Sequence, residues 1–299
     1  MTILDRAIVR ALPAVPRPVV KRHSSRYIAG TTLVEACDTV RELNAGGKEA
    51  TLDVLGEEVT LREEAVGLRD AYRRALDTIV EDGLRSNVSV KLTALGLKLD
   101  HDLCRANLVA LVEEAARFGN FVRIDMEDHT CTDPTLRIYR ELQARHGNLG
   151  VVLQAYMRRT LRDISELPRE GANVRICKGI YVEPRQIAWK GFDTVRANYL
   201  SALEKMIVLG VYPAIATHDE YLACAAAALV DRHGLARDKY EFQMLLGVDE
   251  QLRRILIASG HRLRVYVPYG HDWYPYSMRR LRENPEVARH VLKAMLKGR

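Results

Sequence analysis

Residues 264–283 read RVYVPYGHDWYPYSMRRLRE. Val265, Tyr266 and Val267 make a short apolar strand, Pro268, Tyr269 and Gly270 a turn, and a helical pattern follows. On that helix Tyr276, Arg279, Arg280 and Glu283 fall at i, i+3, i+4 and i+7, so they share one face. Two adjacent guanidiniums with a carboxylate one turn on suit recognition of an anionic group such as a carboxylate. Alone, an RRxxE sequence more often marks a solvated helix face laced with ion pairs. What decides the reading is that this strand–turn–helix unit recurs along the chain.

Strand-like runs are Tyr27–Gly30, Asn87–Leu92, Phe121–Asp125, Gly150–Ala155, Val174–Cys177, Tyr212–Ala216, Tyr240–Leu245 and Leu263–Val267. Most read as continuous apolar stretches, as expected of parallel strands buried on both faces. Helical patterns lie between them, for example at 103–118, 135–146 and 192–209. The repeated β-then-α order argues an α/β fold, and eight units match a distorted (β/α)8 TIM-like barrel better than an open sheet. Residues 1–299 are read as a single catalytic barrel domain. Residues 1–26, with Pro13, Pro16 and Pro18, form a lead-in, read as an irregular arm on the barrel bottom. Residues 36–86 show helical stretches without a clear strand and are read as a helical arm or insertion, so the barrel carries extra N-terminal helices.

The strand ends share a chemistry. Lys91 ends the second strand, Asp125 and Glu127 the third, and Gln154 and Tyr156 the fourth. Arg175 and Lys178 end the fifth, Thr217 and His218 the sixth, Gln243 the seventh and Tyr266 the eighth. In a barrel these C-terminal ends converge on one face, where the βα loops build the active site. One strand-end lysine reads as a solvated rim residue. Seven polar strand ends in a row predict a shared polar site.

Bulk properties narrow the classes. With 299 residues and 47% hydrophobic content the chain can bury a sizeable core. No apolar run approaches the roughly 18 residues of a membrane span, and charges and prolines interrupt the N-terminus where a signal peptide would be apolar. Five cysteines without a CxxC pair read as reduced, mostly packed thiols of a cytoplasmic protein. The net charge of +6 comes without a basic run interleaved with aromatics, so nucleic acid is not an expected partner. Nine histidines include no HExxH, and no metal is expected.

Seven blocks together resemble the proline dehydrogenase family, in its single-function bacterial form. They are VSVKLTALG (88–96), VRIDMED (122–128), VVLQAYMRRT (151–160), VRICKGIYVE (174–183), AIATHDE (214–220), EFQMLLGV (241–248) and VYVPYGHDWYPYSMRRLRENPE (265–286), in the family's order. Each block is weakly specific; the KG-Y-E, ATH, EFQML and YxPYG…RRLxEN blocks together are strong. The resemblance implies FAD. No GxGxxG and no GxxxxGK[ST] loop is present, so the dinucleotide would be held on the barrel face. Lys178 would meet the pyrophosphate and Gly179 would let backbone amides approach it. Arg175 would lie by the flavin N5 edge, with Gln154 beside the ring, and Thr217 and His218 at the pyrophosphate and adenosine end. His218 also reads plainly as a strand-end histidine capping a helix. Met126, Ile180, Tyr181 and Gln243 complete the implied cofactor set.

For substrate, the resemblance assigns the carboxylate of L-proline to Arg279, Arg280 and Lys91, with Glu283 orienting the arginines. Tyr266 would pack on the pyrrolidine ring, and its presence favours proline over hydroxyproline. Asp125 would pair with Lys91; with Arg175 it is the implied catalytic pair. The implied reaction moves hydride from proline C5 to flavin N5, giving 1-pyrroline-5-carboxylate, the first step of proline catabolism to glutamate. Electrons would pass to a membrane quinone at the inner face of the cell membrane, and a pyrroline-5-carboxylate dehydrogenase would take the product. The apolar face of 287–299 (Val287, Val291, Leu292, Met295, Leu296) is a candidate membrane contact and equally a helix that closes the barrel. The chain departs from the family around Tyr181, where Ile180 and Val182 replace an alanine and a tryptophan, which puts flavin retention in question. Two other readings stay open: a Schiff-base aldolase using Lys91 or Lys178, and a non-catalytic regulatory member.

Overall fold

In the computed structural model the alternation of side chains along eight parallel strands sets the architecture. The structure describes residues 17–168 and 170–283, with the side chains of 19, 22–24 and 279–283 outside the described part. The strands are β1 (Glu49–Val54), β2 (Ser86–Val90), β3 (Val122–Ile124), β4 (Leu149–Gln154), β5 (Asn173–Cys177), β6 (Tyr212–Ala216), β7 (Glu241–Leu245) and β8 (Leu263–Tyr269). They pair in chain order, and β8 returns to β1 to close the barrel.

The registers align one set of residues around the inside: Thr51 with Asn87, Ser89 with Arg123, Val152 with Arg175, Arg175 with Ala214, Ala214 with Glu241, Gln243 with Arg264, and Tyr266 with Thr51. Hydrogen bonds join inward side chains of neighbouring strands, as from Thr51 Oγ1 to Asn87 Oδ1 at 2.5 Å, and cross the lumen, as from Arg175 Nη1 to Ser89 Oγ at 3.3 Å. The interior is therefore polar. The alternate positions, such as Leu52, Val88, Val90, Ile124, Val151, Val174, Ile176, Phe242 and Val265, face the helices and form the hydrophobic core. Most strands read as continuous apolar runs are in fact apolar outward and polar inward, while β6 turns Ala214 and Ala216 inward and β4 Val152.

Each strand is followed by a helix: α3 (Arg62–Glu81), α4 (His101–Arg117), α5 (His129–His146), α6 (Thr160–Ser165), α7 (Phe192–Val208), α8 (Glu220–Arg232), α9 (Glu250–Ala258) and α10 (Trp273–Glu283). Two more precede β1: α1 (Arg17–Ser24) and α2 (Leu33–Ala45). Local chemistry starts them. Thr32 and Glu35 form a capping box on α2, and Asp100, Asp128 and Asp249 accept from the first-turn amides of α4, α5 and α9. The barrel is distorted at its seam. α2 packs against both β8 and β1, while α10 packs against α1, and its Tyr276 reaches the central cavity.

Two sequence expectations are corrected here. The first barrel strand is Glu49–Val54, inside the segment read as a helical arm, so 36–86 contributes most of α2, β1 and α3 to the barrel itself. Tyr27–Gly30 is extended but lies beyond the end of β8, with the Ala29 amide donating to Pro268 O and the Gly270 amide to Gly30 O. The lead-in from Arg17 runs over the C-terminal mouth, not the bottom. Arg26 passes so close to Gly247, at the end of β7, that a Cβ there would sit 1.8 Å from Arg26 O. Ile28, Leu55 and Tyr276 pack together above β1.

Candidate active site

The C-terminal ends of the strands enclose a cavity of about 270 Å³. Lys91 follows β2, Asp125 and Met126 follow β3, and Gln154 ends β4. Arg175 lies on β5, with Lys178, Gly179, Ile180 and Tyr181 in the loop after it. Thr217 and His218 follow β6, Gln243 lies on β7 and Tyr266 on β8. All of these sequence-predicted residues line the one cavity. Val152, Met244 and Leu245 give it apolar walls, and Tyr276 closes one side. Arg279, Arg280 and Glu283 lie on α10, within two turns of Tyr276, but their side chains are outside the described residues. The segment 287–299 is outside them as well.

Two linked charge groups occupy the floor. Lys91 Nζ lies 2.9 and 3.0 Å from the two oxygens of Asp53, and 3.8 Å from both Glu57 Oε1 and Asp125 Oδ2. Burial alone would lower the Lys91 pKa, but the carboxylates of Asp53, Asp125 and Glu57 outweigh it and push the ammonium above its ordinary value. Asp53 is fully buried and also accepts from Tyr72 Oη at 3.1 Å. The primary partner of Lys91 is thus Asp53, not Asp125 as expected. Asp125 is closest to Arg175, at 2.6 Å from Nη1, and accepts from Ser89 Oγ and Tyr266 Oη, each at 2.7 Å. Burial would raise its pKa; Arg175, then Lys91 and the two hydroxyls, hold it below the usual carboxylate range.

Arg175 is fixed on several sides. Its Nε donates to Gln243 Oε1 at 2.5 Å, its Nη1 to Asp125 and, at 3.3 Å, to Ser89 Oγ, and its guanidinium lies 5.1 Å over the Tyr266 ring. Gln154 donates to Glu127 O at 2.9 Å. Glu127 itself turns away from the cavity and accepts from the Thr93 amide and hydroxyl, holding the loop after β2. His218 Nε2 accepts from the Leu245 amide at 2.8 Å and so ties the end of β6 to the end of β7. It is not a helix cap.

At the rim, Lys178 Nζ is 3.2 Å from Asp219, which also takes a bidentate contact from Arg196 at 2.7 and 2.8 Å. Burial would raise the Asp219 pKa, yet Arg196 and Lys178 bring it to about 2. Gly179 has φ +102°, and a Cβ there would stand 2.2 Å from the Tyr156 ring, so only glycine fits. The turn is pressed flat on that ring. Ile180 and Val182 are exposed, Val182 almost completely. Sequence reasoning missed Asp53, Glu57, Ser89, Tyr72, Asp219 and Arg196. Among the described residues, no group of three or more His, Cys, Asp or Glu side chains is arranged to hold a metal ion, and no helix is long and apolar enough to cross a membrane.

Known proteins resemble this chain in sequence and in fold. The proline dehydrogenase family model matches residues 36–293. Proline dehydrogenase 1 of Bacillus subtilis (strain 168) is 38% identical over 272 residues, covering 91% of this chain and 90% of that protein. Proline dehydrogenase of Deinococcus radiodurans is 35% identical over 303 residues, covering 100% and 97%. Among solved structures, proline utilization A from Bdellovibrio bacteriovorus, inactivated by N-propargylglycine, superposes with a TM-score of 0.84 at 23% identity. It covers 93% of this chain, which spans only 36% of that longer protein, and at that identity the likeness speaks for the fold. The match over most of the chain and the identity to two bacterial enzymes agree, and the chain belongs to the proline dehydrogenase family, oxidoreductases that act on proline.

Proposed function

We propose that the chain oxidises L-proline at the barrel mouth with FAD as its hydride acceptor and passes the electrons to a membrane quinone. The single observation that carries this is the side-by-side placement of Lys91 and Arg175 in one cavity, each held by its own carboxylate. A flavin fits the residues present. The walls combine apolar side chains (Met126, Val152, Met244, Leu245) for a flat ring system with Arg175 and Lys178 for its negatively charged groups. The flat glycine turn at 179 gives backbone close to the same wall. Bound there, FAD would supply a hydride acceptor: hydride would leave proline C5 and the ring N–H proton would pass to solvent, leaving 1-pyrroline-5-carboxylate.

The chain's own residues do the rest. Arg175 is the permanent positive charge on the cavity wall where negative charge would grow, held rigid by Gln243 and Asp125 so that no reorganisation is needed. Lys91, with Arg279 and Arg280 from α10, would bind the substrate carboxylate. The α10 arginines are needed for this. Lys91 and Arg175 bring two positive charges against the three carboxylates of Asp53, Glu57 and Asp125, so the floor alone does not attract an anion. Tyr266, fixed by its hydroxyl to Asp125, offers its ring to the pyrrolidine. Glu283 would orient the arginines. Lys178, Thr217 and His218 lie toward the rim for the dinucleotide tail.

The Schiff-base reading fares worse at Lys91. A nucleophilic lysine must be neutral, and the carboxylates around Lys91 hold it charged. The test is the visible spectrum of the purified protein before and after anaerobic L-proline, then after a soluble quinone. Flavin bands that bleach with proline and return with quinone are expected. No bands even after FAD is added, or trapping of a carbonyl substrate by borohydride, would overturn the proposal.

A further inference from the structure

Arg175 is oriented from below, through the polar lumen. Gln243 stands between it and Glu241. Its Oε1 accepts from Arg175 Nε at 2.5 Å, and its Nε2 donates to Glu241 Oε1 at 2.5 Å. Glu241 in turn accepts from Arg264 Nε at 3.0 and 3.1 Å, and Arg264 pairs with Glu49 at the base of the barrel. Arg175 and the two residues nearest it in this ladder are buried: Arg175 is 7% exposed, Gln243 5% and Glu241 3%.

An amide has one accepting end and one donating end. Flipped, Gln243 would point its carbonyl at a carboxylate and its NH₂ at a guanidinium N–H, two contacts of like polarity. An ionised Glu241 therefore forbids the flip. Burial would raise the Glu241 pKa, but Arg264, Gln243 and Arg123 keep it below the usual range, so the carboxylate can only accept. The neighbouring strand leaves the path clear. Its inward residues are Ala214, in register with Arg175 and Glu241, and Ala216, in register with Gln243. Short side chains there let the guanidinium of β5 reach across to β7. With Nε on Gln243 and Nη1 on Asp125 and Ser89, the Nη2 group of Arg175 has no partner among the described residues.

We propose that Glu241 is a positioning residue for the proline oxidation: its charge fixes the amide orientation of Gln243, which fixes Arg175 with one amino group left for the reacting partner. The inference rests on the role given to Arg175 above. It sends the effect of a residue at the foot of the barrel to the reaction, without contact with proline.

The experiment compares Glu241→Gln, Gln243→Met and the double variant with the unaltered holoenzyme. Anaerobic stopped-flow gives the rate of flavin bleaching and the apparent proline affinity. Each single variant, saturated with FAD, should keep its apparent proline affinity within about twofold and bleach about tenfold or more slowly per bound flavin. The double variant should be no slower than the singles, since both act through one contact. Gln243→Met leaves the Glu241–Arg264 pair intact, which guards against a variant that merely misfolds. A second readout needs no flavin: the ¹⁵Nε–H signal of Arg175, assigned through Arg175→Lys, should be protected from exchange in the unaltered apoprotein and lose protection in both single variants. Bleaching at the unaltered rate in either single variant, multiplying losses in the double, or unchanged Nε–H protection would overturn the inference. If the unaltered protein does not bleach with proline at all, the proposed function fails first, and the exchange readout still decides whether Glu241 orients Arg175.

Discussion

Lys91 and Asp53, 38 residues apart in the chain, form a buried ion pair of 2.9 Å at the floor of the cavity, with side chains 7% and 0% exposed. Removing one partner of such a pair leaves an uncompensated buried charge and costs about 3–5 kcal/mol. Lys91→Met would also leave Asp53 facing Glu57 and Asp125 with no cation between them. It should therefore lower unfolding stability by that amount, measured by urea denaturation of the apoprotein. Adding Asp53→Asn should recover part of the loss. Strictly additive losses in the double-mutant cycle would show that the two residues do not act on each other.

Strand positions after β1 and most of the site were legible in the sequence, because a parallel strand buried under helices must carry apolar residues at its outward positions. Ser89 and Lys91, Arg123 and Asp125, Glu241 and Gln243, and Arg264 and Tyr266 alternate with those apolar residues. That period of two already signals a polar lumen, and it is hidden when the strand is read as a continuous run. Glu49–Val54 is harder to see. Its two inward positions, Thr51 and Asp53, and its leading Glu49 break the apolar run, while Tyr27–Gly30 offers a more strand-like composition. The partner of Lys91 is not written locally at all. Asp53 and Asp125 are both strand-end carboxylates, and only the barrel's register places the first at 2.9 Å and the second at 3.8 Å.

Tyr266 joins two functions, stacking beneath Arg175 and donating to Asp125. Tyr266→Phe keeps the ring and leaves Asp125 with Arg175 and Ser89, so the rate with proline should fall about ten- to a hundredfold, the worth of one hydrogen bond to a charged group. Tyr266→Ser opens space beside the substrate ring. It should narrow the preference for proline over 4-hydroxyproline, read as the ratio of the two kcat/KM values. An unchanged ratio would place the tyrosine ring away from the pyrrolidine.

The reacting nitrogen of proline must be neutral, because an ammonium cannot push electrons into the C–N bond. Lys91 is held above its ordinary pKa and Asp125 below its own, so neither changes charge between about pH 6 and 9. Neither floor group therefore accounts for a pH dependence in that window, which is assigned to the substrate nitrogen. The kcat/KM for proline should rise with pH, and the limiting rate of flavin bleaching should rise through an apparent pKa below that of free proline. A flat bleaching rate across the window would mean that deprotonation is not part of the rate-controlling sequence.

Position 280 follows Tyr276 by one turn on α10, and Tyr276 lines the cavity. Because Asp53, Glu57 and Asp125 outnumber Lys91 and Arg175 on the floor, carboxylate binding in the proposed function would depend on the helix arginines. Arg280→Met should raise the KM for proline at least tenfold, the loss of one charge-assisted pair of about 1.5–3 kcal/mol. A near-normal KM would assign the carboxylate to Lys91 and Arg279 alone.

Asp219 holds the rim together by binding Arg196 and Lys178 at once. Its carboxyl lies at about 2 in the folded protein, below the roughly 3.9 of an unfolded aspartate. A depressed carboxyl contributes stability above its unfolded pKa and loses it as pH falls toward the folded value. The contribution is thus complete above about pH 5 and fades between about pH 4 and pH 2. Asp219→Asn leaves two cations facing each other with a weaker acceptor between them. It should cost about 1.5–3 kcal/mol at pH 7, as for hydrogen bonds to a charged group. The difference between the two proteins should shrink toward the residual steric cost as the pH approaches 2. Denaturation of both at pH 7, 4 and 3 checks this, and a difference independent of pH would mean that Asp219 acts by shape and not by charge.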